Sequence, residues 1–245
     1  MQPGESFALR PGVAMPDWPL VPDPAGRAAL SASMAVAGRR QRWSGLDAAE
    51  DALWQAVLQG FIATGQPPGQ ATLATASGLD AAVIPARLQS LRDRDLLVLD
   101  AAGRITAAYP FSALPTPHRV RLEGATQPVY ALCAIDALGA GGMAGRDSMV
   151  ESTCAECGAR IHIATRGHGL AATSPRDAVV WSGIRYAGGC AATSGCALKP
   201  FFCSDAHLDA WRARQDPDGP GYRLPVAVAQ QVGLALFVPM LRQPG

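Results

Sequence analysis

The sequence predicts an α+β protein in two parts, a three-helix unit with a β-ribbon and then a domain built on a mainly antiparallel sheet. Three observations carry this. Apolar residues recur at helical spacing between residues 47 and 93, whereas the second half breaks into short segments such as "RVRLEG" and "DAVVWSG" separated by turn residues. All six cysteines, Cys133, Cys154, Cys157, Cys190, Cys196 and Cys203, fall in that second half.

At 245 residues, 49% hydrophobic and 17% charged, the chain has enough apolar surface for one sizeable core with a satellite. A net charge of +1 gives no long-range attraction to nucleic acid or an anionic membrane, so the expected partner is a small molecule. No stretch reaches the roughly 20 apolar residues of a membrane span, and "MQPGESFALRPG" lacks a signal-peptide pattern. A cytoplasmic protein is expected, with its cysteines acting as thiols, ligands or nucleophiles and not as a disulfide frame.

Residues 1–45 form the first segment. Repeated prolines over residues 1–28 suggest a loose arm or strap, followed by a short helix in "LSASMAVAGRRQRW". The second segment, residues 46–118, begins with a helix that places Leu53, Val57, Leu58, Phe61 and Ile62 on one face and stops at Gly65. "TLATASG" is a second helix. A third carries Ile84, Leu88 and Leu91, with Asp80 as its expected cap and Pro85 in its first turn. "LLVLD" and "RITAAYPF" then pair across "AAG" as a ribbon.

Three helices and a ribbon are the layout of a winged helix. Residues 48–118 nevertheless hold four arginines, no lysine and six acidic residues, a charge of −2, whereas phosphate contact needs a positive surplus. A structural or dimer-forming role is therefore expected over DNA binding. "SALPTPHRV" links this unit to the cysteine-bearing domain, residues 119–245.

Four features there invite a chemical reading. In "YALCAIDAL", a spacing of three would put Cys133 and Asp136 on one helical face, within reach of proton exchange, with the thiolate favoured by the helix start. The alternative is a buried thiol packing as a small hydrophobe beside an exposed carboxylate. In "GGCAATSGCALKPFFCSDAHLDAW", Cys190, Cys196 and Cys203 lie in a Gly-rich stretch before a helix that Ser204 can cap; they either complete a site with Cys133 or sit there as core. Cys154 and Cys157 in "CAEC" resemble half of a zinc knuckle, but no second pair stands at that spacing and the four histidines form no ligand pattern, which favours packing thiols in a turn. "GAGGMAG" is off the dinucleotide-binding spacing.

Thiolate sulfur selects soft metal ions, and a neighbouring carboxylate adds proton chemistry. Together, "VYALCAIDALG", "STCAECGARI" and "GCALKPFFCSDAHLDAW" resemble the organomercurial (alkylmercury) lyase family. Cys133 with Asp136, then Cys154, then Cys196 five residues before Phe201 follow the family's order. The resemblance implies that Cys133, Asp136 and Cys196 are the catalytic trio, that Cys133 and Cys196 hold mercury with Asp136 beside it, and that Cys154 is structural. It further implies protonolysis of a carbon–mercury bond without an organic cofactor. Low-molecular-weight thiols and a mercuric reductase would then take the Hg(II). Cys157, Cys190 and Cys203 lie outside the family pattern. Two other classes remain open: a non-catalytic soft-metal binding protein and a metal-sensing winged-helix regulator.

Overall fold

Phe7–Arg10 (β1) and Val13–Met15 (β2) pair as an antiparallel hairpin in the computed structural model, which describes residues 4–35, 38–184, 196–215 and 218–242. The N-terminal stretch expected to be loose is thus a packed element. Leu9, Met15, Trp18 and Val21 are buried, Leu46 N donates to Leu9 O (2.8 Å), and Asp17 N donates to Ala235 O (2.9 Å). Its prolines mark turns and a helix start, since Pro24 opens α1 (Pro24–Ala35) where no amide hydrogen is required. The single helix expected over residues 30–43 is divided: α2 (Arg39–Trp43) begins after Gly38, whose φ of 59° breaks the helical path.

Asp47 and Glu50 exchange side-chain and backbone hydrogen bonds in a capping box that starts α3 (Ala48–Thr64), and Gly65 ends it in the left-handed region. Leu53, Val57, Leu58, Phe61 and Ile62 are all buried, as the periodicity requires. The acidic residues of the first turn are buried as well and paired. Glu50 accepts from Arg94 Nε (2.9 Å), while Asp51 sits 3.4 Å from Arg10 and accepts from Arg242 Nε (2.9 Å). One helical turn thereby ties down the N-terminal hairpin, the chain at Arg94 and the C-terminal segment.

After α4 (Gln70–Ser77), α5 (Ile84–Asp93) carries Pro85 in its first turn. Asp80 does not cap it. Its carboxylate accepts from Ala82 N (2.8 Å) inside a separate turn, and Val83 occupies the cap with no side-chain bond. A cap must directly precede the first helical residue, and Asp80 stands too early.

The ribbon of β3 (Leu97–Leu99) and β4 (Ile105–Ala108) forms, but it is not a free wing. β5 (Phe111–Ser112) extends it and pairs with β7 (Val129–Ala131). The ribbon is therefore one end of an eight-stranded antiparallel sheet ordered β10-β9-β8-β6-β7-β5-β4-β3, with β6 (His118–Leu122), β8 (Ser148–Thr153), β9 (Arg160–Arg166) and β10 (Gly169–Ser174). A second antiparallel sheet orders β12 (Phe201–Phe202), β11 (Val179–Gly183) and β13 (Gly221–Pro225). Fold class is thus mixed, helices with mainly antiparallel sheet, and Cys154 and Cys203 directly follow strands of it.

Two apolar helices, α6 (Ala134–Ala144) and α8 (Val226–Phe237), cross at their glycines. A Cβ at Gly139 would lie 2.6 Å from the Phe237 ring and 2.7 Å from Gly233 O. The glycines of "GAGGMAG" therefore lie within and at the end of α6, where Gly139 serves close helix packing, and not in a strand-to-helix turn that could hold a dinucleotide. The remaining helix is α7 (Asp205–Gln215), and Ser204 Oγ accepts from His207 N in its first turn (3.3 Å). Among the described residues no helix is long and apolar enough to cross a membrane.

Candidate active site

Strand β7 runs into Cys133, which is extended (φ −153°, ψ 179°) and forms the N-cap of α6. Its Sγ accepts from Asp136 N at 3.5 Å, so a thiol does what a Ser or Asp side chain usually does at a helix start. The cap places Asp136 in the first turn on the same side as Cys133.

Cys196 arrives from elsewhere in the chain, in a 3-10 turn over Cys196–Leu198. Backbone bonds seat this turn against the start of α6: Lys199 N donates to Cys196 O (3.0 Å), Ala134 N to Lys199 O (3.0 Å) and Trp181 N to Pro200 O (3.2 Å). Cys196 Sγ then lies 3.4 Å from Asp136 Oδ2 and 3.8 Å from Tyr109 Oη. One ligand atom each from Cys133, Asp136 and Cys196 falls within 4.8 Å of the others. The three residues are 1%, 3% and 6% exposed, which removes the reading of Asp136 as a solvent-facing carboxylate.

Burial raises the Asp136 carboxyl, and hydrogen bonds from Cys133 and Cys196 with the charges of Lys199 and Arg39 pull it partly back, to about 6. The Cys133 thiol moves opposite to the expectation from its place at a helix start. Burial pushes it well above the usual thiol range, reinforced by its hydrogen bond with Cys196 and the Asp136 charge. Desolvation of a fully enclosed sulfur outweighs a helix-end dipole. Resting Cys133 is therefore a thiol, with its proton available for transfer.

Sequence reasoning missed three neighbours. Arg39, from the supposed arm, is buried over the rings of Trp43 (5.3 Å) and Tyr109 (5.8 Å), and its charge acts on Cys196 and Asp136. Tyr109 comes from the end of the ribbon; its phenol is pushed well above its usual range, by burial first and then by Cys196. Lys199 is the only lysine in the chain, buried and donating to Gly183 O (3.1 Å). That solitary lysine, three residues after Cys196 in a chain that otherwise uses arginine, was the available signal.

Among the described residues, the other cysteines do not join the trio. Cys154, Cys157 and Cys203 gather with His207 in a separate cluster, and Cys190 lies outside the described residues. Burial raises the Cys154 thiol, but the backbone N–H groups of Cys157, Cys203 and Glu156 and the His207 ring outweigh it and bring it to about 6. Cys203 is pushed up to about 11, by burial and by its hydrogen bonds with Cys154 and Cys157.

The family model described as alkylmercury lyase matches residues 111–238. An alkylmercury lyase of Streptomyces lividans is 27% identical over 193 residues, covering 77% of this chain and 83% of the relative. One from Bacillus cereus is 28% identical over 174 residues, covering 68% and 73%. Among solved structures, the mercury-bound form of MerB2 superposes with a TM-score of 0.67 at 21% identity, covering 89% of this chain and 100% of that one, which shows a shared fold. Since the matched span exceeds half of the chain and contains every cysteine, the chain belongs to the alkylmercury lyase family.

Proposed function

We propose that this protein is an organomercurial lyase that cleaves R–Hg⁺ to R–H and Hg(II), with Cys133 and Cys196 as sulfur nucleophiles and Asp136 as the proton carrier. The observation that supports this most is the convergence of two sulfurs and a carboxyl group raised to about 6 within one buried pocket of side chains.

One thiol exchanges with the ligand on R–Hg–X, giving Cys–S–Hg–R and HX. The second thiol passes its proton to Asp136 and its sulfur joins the metal. Two sulfur donors push electron density onto the carbon, and Asp136 delivers the same proton to that carbon as the carbon–mercury bond breaks. Mercury leaves the step as Hg(II) on two thiolates, and low-molecular-weight thiols or a mercuric reductase remove it. A carboxyl at about 6 suits a group that must both take and give a proton near neutrality. Burial keeps bulk water from competing for that proton.

No organic cofactor is invoked, because sulfur donation and one proton suffice for the products. We assign residues 1–45, 46–118 and 119–245 to an N-terminal strap, a scaffold with winged-helix-like order and a catalytic domain. The negative charge of the scaffold makes it a poor DNA-binding surface.

The test is gas chromatography of the headspace over purified protein given methylmercury or phenylmercury with excess thiol. Methane or benzene is expected from the wild type. Asp136→Asn should bind Hg(II) and release none, and Cys196→Ser should not turn over. Methane at the normal rate from Asp136→Asn would remove the acid assignment, and a wild-type protein that binds Hg(II) but releases no hydrocarbon would make it a metal trap.

A further inference from the structure

We propose that Cys154, Cys157, Cys203 and His207 form a tetrahedral site for one zinc ion, which pins the chain leading out of Cys196 to the β8–β9 turn. The site is separate from the Cys133–Asp136–Cys196 cluster and does not depend on the reaction assigned to it.

The four ligand atoms lie within 4.8 Å of one another, and all three cysteines are free. Cys157 Sγ and Cys203 Sγ are 3.8 Å apart, and Cys154 Sγ is 3.7 Å from His207 Nδ1. Zinc bonds of about 2.3 Å to sulfur and about 2.0 Å to nitrogen put tetrahedral corners about 3.8 Å apart for two sulfurs and about 3.5 Å for sulfur and nitrogen. Two edges of the cluster thus already have the dimensions of an occupied site. Another edge, Cys203 Sγ to His207 Nδ1 at 2.9 Å, must open. That change, about 0.6 Å for tetrahedral zinc, lies within the reach of one side-chain rotation.

Backbone structure prepares both halves. Cys154 follows β8, Gly158 N returns to Cys154 O (2.9 Å) with Gly158 at φ +72°, and Cys154 N donates to Ala159 O (2.8 Å); this tight turn aims the two sulfurs of "CAECG" the same way. Cys203 follows β12, and His207 stands four residues on in the first turn of α7, so both project from one face of that helix start. Ala155 N donates to Phe201 O (3.0 Å), joining the halves. Three thiols and an imidazole suit zinc and exclude hard cations such as magnesium and calcium. Four protein ligands leave no open position, the mark of a structural site.

The consequence for the active site follows from the path of the chain. Cys196 and Lys199 are followed by β12 and then Cys203, so a cation on Cys203 anchors the segment that carries the second catalytic sulfur.

The test is metal analysis of full-length protein expressed with zinc and without mercury, together with cobalt substitution. One zinc per chain is expected, retained in Cys133→Ser/Cys196→Ser and lost in Cys157→Ala/Cys203→Ala and in His207→Ala. The cobalt form should show the visible bands of a tetrahedral ion with thiolate charge transfer. For variants that fail to fold, alkylation of the wild type mapped by mass spectrometry decides: Cys154, Cys157 and Cys203 should be protected until a chelator is added. Protein free of stoichiometric zinc, a Cys157–Cys203 disulfide in its place, equal alkylation with and without chelator, or loss of zinc in the Cys133/Cys196 variant would each overturn the assignment.

Discussion

Cys196 Sγ stands 3.4 Å from Asp136 Oδ2 although 60 residues separate them in the chain. This contact links a helix N-terminus to a turn that the sequence alone does not connect to it. A buried thiol and a buried carboxyl meet there, and the carboxyl is held at about 6.

Asp136 should cost the protein stability near neutral pH. In the unfolded chain it titrates near 3.8 and in the fold at about 6, so the folded state binds the proton more tightly. Its favourable contribution is complete below about pH 4 and is lost as pH rises through about 6, a loss of up to about 3 kcal/mol. Asp136→Asn should therefore raise the urea midpoint at pH 7 and change it little near pH 4. An equal effect at both pH values would contradict the burial argument.

Lys199 lowers the Asp136 carboxyl by its charge. Lys199→Met should move it upward, and the limb of the pH–rate profile for hydrocarbon release that reports Asp136 should shift to higher pH. A lower rate with an unmoved limb would mean that Lys199 acts by holding local structure, as through its bond to Gly183 O, and not by its charge on Asp136.

His118 should make the protein acid-sensitive. Burial beside Phe201 lowers its imidazole from 6.5 to about 4, so the unfolded chain takes up the proton first as pH falls. Stability is whole above about pH 6.5 and declines towards pH 4, by up to about 3 kcal/mol. Chemical denaturation of His118→Gln across this range should show a flatter decline than the wild type. His118 Nδ1 also lies 2.9 Å from Ser152 Oγ, so a smaller loss at pH 7 is expected from that contact.

Gly139→Ala should destabilise the protein, because the added methyl meets the backbone of Gly233, which cannot move aside as a side chain tip can. A loss of about 1–3 kcal/mol is expected in equilibrium unfolding. Displacement of α6 should also lower turnover, since Cys133 and Asp136 sit on its first turn.

Local periodicity made α3 and the buried stripe of α5 legible, and "CAIDAL" placed Cys133 and Asp136 on one helix face, because an apolar stripe and a spacing of three are properties of a single segment. The same reasoning failed at residues 1–28, where proline density suggested slack and buried Leu9, Met15 and Trp18 show packing. It failed again at the second cysteine cluster, because His207 and Cys203 reach Cys154 and Cys157 only after β12 is laid beside the β8–β9 turn.

By itself the amino-acid sequence determined the fold class, the helices from residue 47 to 93 and the pairing of Cys133 with Asp136 on one helix start, since these depend on spacing within a few residues, and the family resemblance added Cys196 to that pair. Tertiary structure alone decided how Cys196 meets Asp136, that Arg39 and Tyr109 enclose them, and that four further ligand atoms converge elsewhere. Those outcomes depend on long-range backbone pairing and on the desolvation it imposes, and neither is encoded in any one segment.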